Sequence, residues 1–161
     1  MSDTLELHAT DKTSRYRELL PQLGSLVEGE PDLVANLANL SAALMHGIEA
    51  ASWAGFYILR DGELVLGPFQ GKVACVRIGL GRGVCGTAAA ERRTLVVRDV
   101  LEFPGHIACD PDSRSEIVVP LVRGGQLLGV LDVDSRHPAA FDEVDAAHLA
   151  DVAALVARLS W

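Results

Sequence analysis

The stretch from Ser115 to Ser135, "SEIVVPLVR", "GG" and "QLLGVLDVDS", constrains the fold more than any other part of the chain. Two runs rich in Val, Ile and Leu flank a Gly-Gly pair, which is the pattern of an antiparallel hairpin. Asp132 and Asp134 lie two apart in the second run, so strand alternation points both to one face. Carboxylates that close repel, which raises at least one pKa and can keep a proton on it near neutrality. Spacing alone fits equally two aspartates that solvate a strand end. Whether Glu116 joins them depends on the turn. A strict two-residue turn sets Arg123 opposite Gln126 and Glu116 opposite Val133, facing away from both aspartates. A three-residue loop or a bulge restores the shared face, and one of these is expected.

The rest of the chain supplies partners for this hairpin. Thr13 to Val27 is helix-permissive but holds Pro21, so a broken or kinked helix is expected. After Glu30-Pro31-Asp32, the residues Leu33, Leu37, Leu40, Leu44 and Ile48 form one apolar helical stripe, suited to covering a sheet. "WAGFYILR", "ELVLGPF" and "VACVRI" read as three strands. "GLGRG" leads into a short helix, "VCGTAAAERR", and "TLVVRDV" reads as a fourth strand. "FDEVDAAHLADVAALVARLS" closes the chain as an amphipathic helix with Val144, Leu149, Val152, Val156 and Leu159 toward the core. A flexible N-terminus (1–12) and a single α+β domain (13–161) follow. It has a mainly antiparallel sheet of about six strands, helices packed on one face, and loops framing a ligand site on the other.

With 22 acidic against 14 basic residues and a net charge of −8, the surface opposes nucleic acid and anionic membranes. The N-terminus has no basic start followed by an apolar run, so a cytoplasmic protein is expected. Cys75, Cys85 and Cys109 are too few and too unevenly spaced for a secreted disulfide framework. No close Cys pair suggests zinc, although His106 lies three residues before Cys109; no metal is expected. Cys85 sits where a glycine-rich loop enters a helix, with Arg82 nearby, and from these residues alone it is the candidate thiolate. Cys75 lies in an expected strand and reads as structural. Cys109 lies in the loop "PGHIACDP" beside His106 and Asp110, where a thiol is either incidental or there to react. Trp53 and Tyr57, four apart in one strand, share a face in a chain with only 5% aromatics, and so mark either core or a ligand wall.

"SWAGFY", "LGPFQGKVACVRI", "GRGVCGTAA", "FPGHIACD", "SEIVVP" and "GVLDVDS", in that order, closely resemble the free methionine-(R)-sulfoxide reductases, a family built on the GAF domain. The resemblance implies a GAF fold with an enclosed pocket opposite the helices. It implies reduction of free L-methionine-(R)-S-oxide to L-methionine, with Cys109 as attacking cysteine, Cys75 as its usual resolving partner and Cys85 as a further redox cysteine. This disagrees with the helix-start argument for Cys85, and Cys109 is preferred. It places Trp53, Tyr57, Glu116, Asp132 and Asp134 in the substrate pocket. A protonated carboxyl would activate the sulfoxide oxygen, the cluster would hold the substrate ammonium, and Cys109 would become a sulfenic acid. An intramolecular disulfide would follow, reduced by thioredoxin and ultimately NADPH, with no bound cofactor. The sequence does not settle the oligomeric state; the resemblance leaves open a homodimer paired through the apolar N-terminal helices, as in dimeric relatives. The alternative is a non-catalytic GAF module that senses a small molecule or thiol redox state.

Overall fold

In the computed structural model, which describes residues 4–107 and 109–161, Gly124 and Gly125 take φ values of 57° and 78°. A two-residue hairpin turn needs positive φ at both positions, and glycine adopts it without strain. This turn joins β5 (Ser115–Arg123) to β6 (Gln126–Ser135). Arg123 pairs with Gln126 and Val122 with Leu127, but Leu121 pairs with Gly129, leaving Leu128 as an extra residue on β6. The expected bulge is therefore present. It shifts the register by one and sets Glu116 directly opposite Asp134.

The hairpin lies within a six-stranded sheet of order β3-β2-β1-β6-β5-β4, formed with β1 (Trp53–Arg60), β2 (Glu63–Gln70), β3 (Arg77–Gly79) and β4 (Leu95–Val97). Every neighbouring pair is antiparallel. One face is covered by α1 (Lys12–Val27), α2 (Leu33–Gly47) and α4 (Glu143–Ala157). Leu37, Leu40 and Leu44 of α2 are fully buried and pack with Leu19 and Leu23 of α1 over Phe56, Leu131 and Val133 of the sheet. Each such side chain contributes roughly 2 kcal/mol relative to exposure. The apolar stripes of α1 and α2 are thus taken up by the chain's own core. Asp32 caps α2 by accepting the Ala35 N–H, and Asp142 with Asp145 forms a capping box on α4.

Four expectations are corrected. α1 is not broken at Pro21 but runs from Lys12 to Val27; Pro21 and Arg17 lie on an exposed face, where the Arg17 carbonyl that the ring displaces can turn to solvent. The third strand is shorter than "VACVRI": residues 71–75 leave the sheet, with Val73 and Ala74 lining the cavity, and the Val76 carbonyl accepts from the Leu66 N–H just before β3 begins at Arg77. The fourth strand is three residues long and turns into a 3₁₀ helix at Val100–Glu102. Finally, α3 (Gly83–Glu91) does not join the other helices but packs on the opposite face through Val84, Cys85, Ala88 and Ala89. A Cβ on Gly86 would lie 2.3 Å from the Gly79 carbonyl oxygen, so only glycine lets α3 approach this closely.

Residues 4–11, the described part of the segment expected to be flexible, lie along α1. The Glu6 N–H donates to Gln22 Oε1 and the Gln22 amide returns a bond to the Glu6 carbonyl, each at 2.8 Å. Leu5 and Leu7 pack against the core. Among the described residues, no helix is long and apolar enough to cross a membrane.

Candidate active site

The face of the sheet that carries α3 holds a cavity of about 60 Å³. β1 contributes Trp53 and Tyr57, β5 contributes Glu116, β6 contributes Asp132 and Asp134, and the start of α3 contributes Arg82 to Cys85. The loops around Ala74 and Cys109 close its mouth. Strand alternation and the Leu128 bulge bring the three acids together, since Glu116 faces Asp134 across the ladder and Asp132 lies two residues further along.

Glu116 and Asp132 are 7% and 4% exposed, and Asp134 keeps part of its surface open. Burial pushes all three carboxyls well above the ordinary range, and mutual charge adds to it. Glu116 and Asp132 bring carboxyl oxygens within 4.8 Å of each other and Asp134 lies opposite Glu116 on the ladder, a crowding of acids that favours keeping a proton in the cluster. The cluster is therefore a proton store, and one of its oxygens, Asp132 Oδ1, has no partner. The Cys85 thiol donates to Glu116 Oε2 at 4.0 Å. The Cys85, Glu116 and Asp132 ligand atoms fall within 4.8 Å of one another, a spacing that could gather a cation as well as a proton.

The cysteines are sorted by position. Cys75 and Cys109 form a disulfide with a Cα–Cα distance of 5.9 Å, spanning 34 residues of sequence. The structural reading of Cys75 is thereby corrected: its segment has left the sheet, which frees its sulfur to meet the Cys109 loop. Cys109 is exposed at the cavity mouth, and its disulfide removes it as a metal partner for His106. Cys85 is buried and free. Burial first, then the charges of Asp132, Glu116 and Asp134, pushes its thiol up, so the helix-start argument for a thiolate fails against desolvation.

Trp53 stacks on Phe69 at 5.1 Å and on Tyr57 at 6.1 Å, and its indole N–H donates to the Lys72 carbonyl at 3.0 Å. The Tyr57 hydroxyl donates to the Cys75 carbonyl at 2.9 Å. Both aromatics thus hold the 71–75 loop as well as walling the cavity. Sequence reasoning missed a second tie across the mouth, from Lys72 Nζ to Asp112 at 2.8 Å and Asp110 at 3.4 Å. It also missed Ser113, 7% exposed, which lines the cavity with an unpartnered hydroxyl. A lone serine in a loop carries no spacing signal that could have flagged it. His106 lines the cavity too, and burial holds its imidazole below its usual pKa.

A family model described as GAF domain matches residues 32–159. The chain is 52% identical over 135 residues to the free methionine-R-sulfoxide reductase of Escherichia coli, covering 84% of this chain and 82% of that one. It is 44% identical over 154 residues to the free methionine-R-sulfoxide reductase of Saccharomyces cerevisiae, covering 91% and 86%. The structure of the free methionine-R-sulfoxide reductase from Neisseria meningitidis in complex with its substrate superposes with a TM-score of 0.95 at 51% identity, covering 98% of this chain and 95% of that one. Thiols, buried acids, fold and relatives converge: the chain belongs to the free methionine-(R)-sulfoxide reductase family of GAF-domain proteins.

Proposed function

We propose that this chain is an oxidoreductase that reduces free methionine-R-sulfoxide to methionine, with Cys109 as nucleophile. The observation that carries this reading is the Cys75–Cys109 disulfide at the mouth of a cavity whose floor is three proton-holding carboxyls. A sulfoxide sulfur accepts a thiolate readily only once its oxygen is protonated, so nucleophile and acid must act from two sides of one chamber.

In the proposed sequence, a protonated member of Glu116, Asp132 and Asp134 gives its proton to the sulfoxide oxygen. The Cys109 sulfur attacks the substrate sulfur, the substrate S–O bond breaks, the oxygen passes to Cys109 as a sulfenic acid, and methionine leaves. The Cys75 thiol then attacks the Cys109 sulfur, the hydroxyl departs with a proton as water, and the disulfide forms. A dithiol protein of the thioredoxin type, kept reduced by NADPH in the cytoplasm, supplies the two electrons that reopen it. Cys85 stays a thiol and donates its hydrogen bond to Glu116. Trp53 packs against the S-methyl group, and the carboxylate cluster holds the ammonium. A peptide-bound residue has no such charge to offer and would leave buried acceptors unpaired.

The test is NADPH consumption coupled through thioredoxin and its reductase, with R and S epimers of free and peptide-bound sulfoxide. Turnover of the free R epimer above the other three is expected. Turnover of neither free epimer overturns the reading and leaves a ligand-binding or redox sensor.

A further inference from the structure

The disulfide joins two segments that lie apart in the chain, and they are anchored unequally. The 71–75 segment is pinned to β1 at both ends, by the Trp53 indole N–H on the Lys72 carbonyl at 3.0 Å and the Tyr57 hydroxyl on the Cys75 carbonyl at 2.9 Å. Around Cys109 the described backbone bonds are local: its own N–H to the Ile107 carbonyl, the Asp112 N–H to Asp110 Oδ1 and the Ser113 N–H to the Asp110 carbonyl. Among the described residues, covalent or ionic links cross from one segment to the other in two ways. One is the disulfide; the other is Lys72 Nζ, 2.8 Å from Asp112 Oδ2 and 3.4 Å from Asp110 Oδ1. When the disulfide opens, Lys72 is the link that remains. It stands three residues before Cys75, and Asp110 directly follows Cys109. Asp112 holds the Lys72 ammonium above its usual pKa and Lys72 holds the Asp112 carboxyl below its own, so the pair stays charged at neutral pH. Their side chains are 48% and 62% exposed, which leaves the pair open to screening by salt.

We propose that Lys72 is a positioning residue for disulfide closure: its ion pairs with Asp112 and Asp110 hold the Cys109 loop over Cys75 while the disulfide is open. This rests on the functional reading above and deepens it, by assigning a surface cation to the step after oxygen transfer. In that step the Cys75 thiol attacks the Cys109 sulfenic acid, the S–S bond forms, the S–O bond breaks, and the hydroxyl leaves with the thiol proton as water. Lys72 takes no part in these bonds. It raises the concentration of one sulfur at the other, which shortens the life of a sulfenic acid that further oxidant would carry to an irreversible state. An exposed ion pair contributes little, so the gain is a small factor that ionic strength removes.

The test separates closure from oxygen transfer by using hydrogen peroxide, which turns a thiol into a sulfenic acid with release of water and needs no methionine sulfoxide. Reduced wild type, Lys72→Met and Lys72→Arg receive an equivalent of peroxide together with a sulfenic-acid trap, and trapped Cys109 is counted against disulfide. At low salt Lys72→Met is expected to shift that ratio toward the trapped form by about 2- to 5-fold, and Lys72→Arg to restore it. At about 1 M salt wild type should fall to the level of Lys72→Met, which salt should leave unmoved. Slower closure in Lys72→Met at low salt, in a protein whose wild type does not turn over methionine sulfoxide, keeps the positioning role and removes the reductase. Equal ratios in wild type and Lys72→Met at low salt, with wild-type turnover intact, overturn the positioning role alone. A shift in Lys72→Met that high salt does not reproduce in wild type also overturns it, since the substitution has then disturbed the loop and not a charge.

Discussion

Asp145 and Asp132 are the same residue type at nearly the same burial, 1% and 4% exposed, on opposite faces of one sheet. Asp145 accepts from the Tyr16 hydroxyl at 2.6 Å, from Lys12 Nζ at 2.6 Å and from the Asp142 N–H at 2.9 Å, tying α1 to the start of α4. Asp132 has carboxyl neighbours instead of a cation, and its Oδ1 has no partner at all. The first aspartate is fully satisfied by the fold. The second is left wanting a proton or a ligand, a state that a buried polar atom occupies only at a penalty. Cavity size does not separate the two. The space beside Asp145 is about 270 Å³ against about 60 Å³ beside Asp132, yet its buried polar side chains all have partners. Unmet bonding, not volume, separates the face that carries the candidate site from the structural one.

Exchanging each aspartate for asparagine should break this comparison along two different axes. Asp132→Asn is expected to lower kcat/KM for free methionine sulfoxide by about 10²- to 10⁴-fold, since it removes acid from the proton store. Its denaturant midpoint should stay level or rise, because a penalised charge has been removed. Asp145→Asn should do the reverse, with destabilisation of about 1 to 3 kcal/mol and near-normal turnover of the remaining folded enzyme. Equal loss of stability in both variants would erase the distinction.

A smaller effect sharpens it. Burial holds the carboxyls of Glu116, Asp132 and Asp134 above their ordinary range, so the folded chain retains protons that the unfolded chain releases from about pH 4 upward. Folded-state proton excess means that stability contributed by this cluster is greatest at low pH and falls as pH rises toward the raised values. Thermal unfolding of ligand-free protein across that window should show the decline. Asp132→Asn should flatten it by no more than about 1.4 kcal/mol per pH unit. A wild-type curve that the substitution leaves unchanged would mean that Asp132 is not part of the proton store.

The hairpin was legible in the sequence to the residue, because Gly-Gly and two β-rich runs leave little choice. The need for a bulge was legible too, since three carboxylates could share a face no other way once the turn held two residues. Other parts were not, for physical reasons. "VACVRI" has strand composition, but disulfide formation and cavity closure hold most of it off the sheet. Pro21 carries a strong local prior that an exposed helix face tolerates. The close approach of α3 to the sheet rests on the contact between Gly86 and the Gly79 carbonyl, which no periodicity encodes. Cys85 misled by position: a helix start lowers a thiol pKa only where the site is not also dry and ringed by acids.

The central claim is that Cys109 takes the oxygen from the substrate. Reduced Cys75→Ser protein, which cannot form the observed disulfide, should be mixed once with free methionine-R-sulfoxide in the presence of a sulfenic-acid trap. Methionine should then be counted and peptides mapped. One methionine per chain, with the trapped sulfenic acid on Cys109, is the predicted result; methionine formed while Cys109 remains an unmodified thiol would contradict the account.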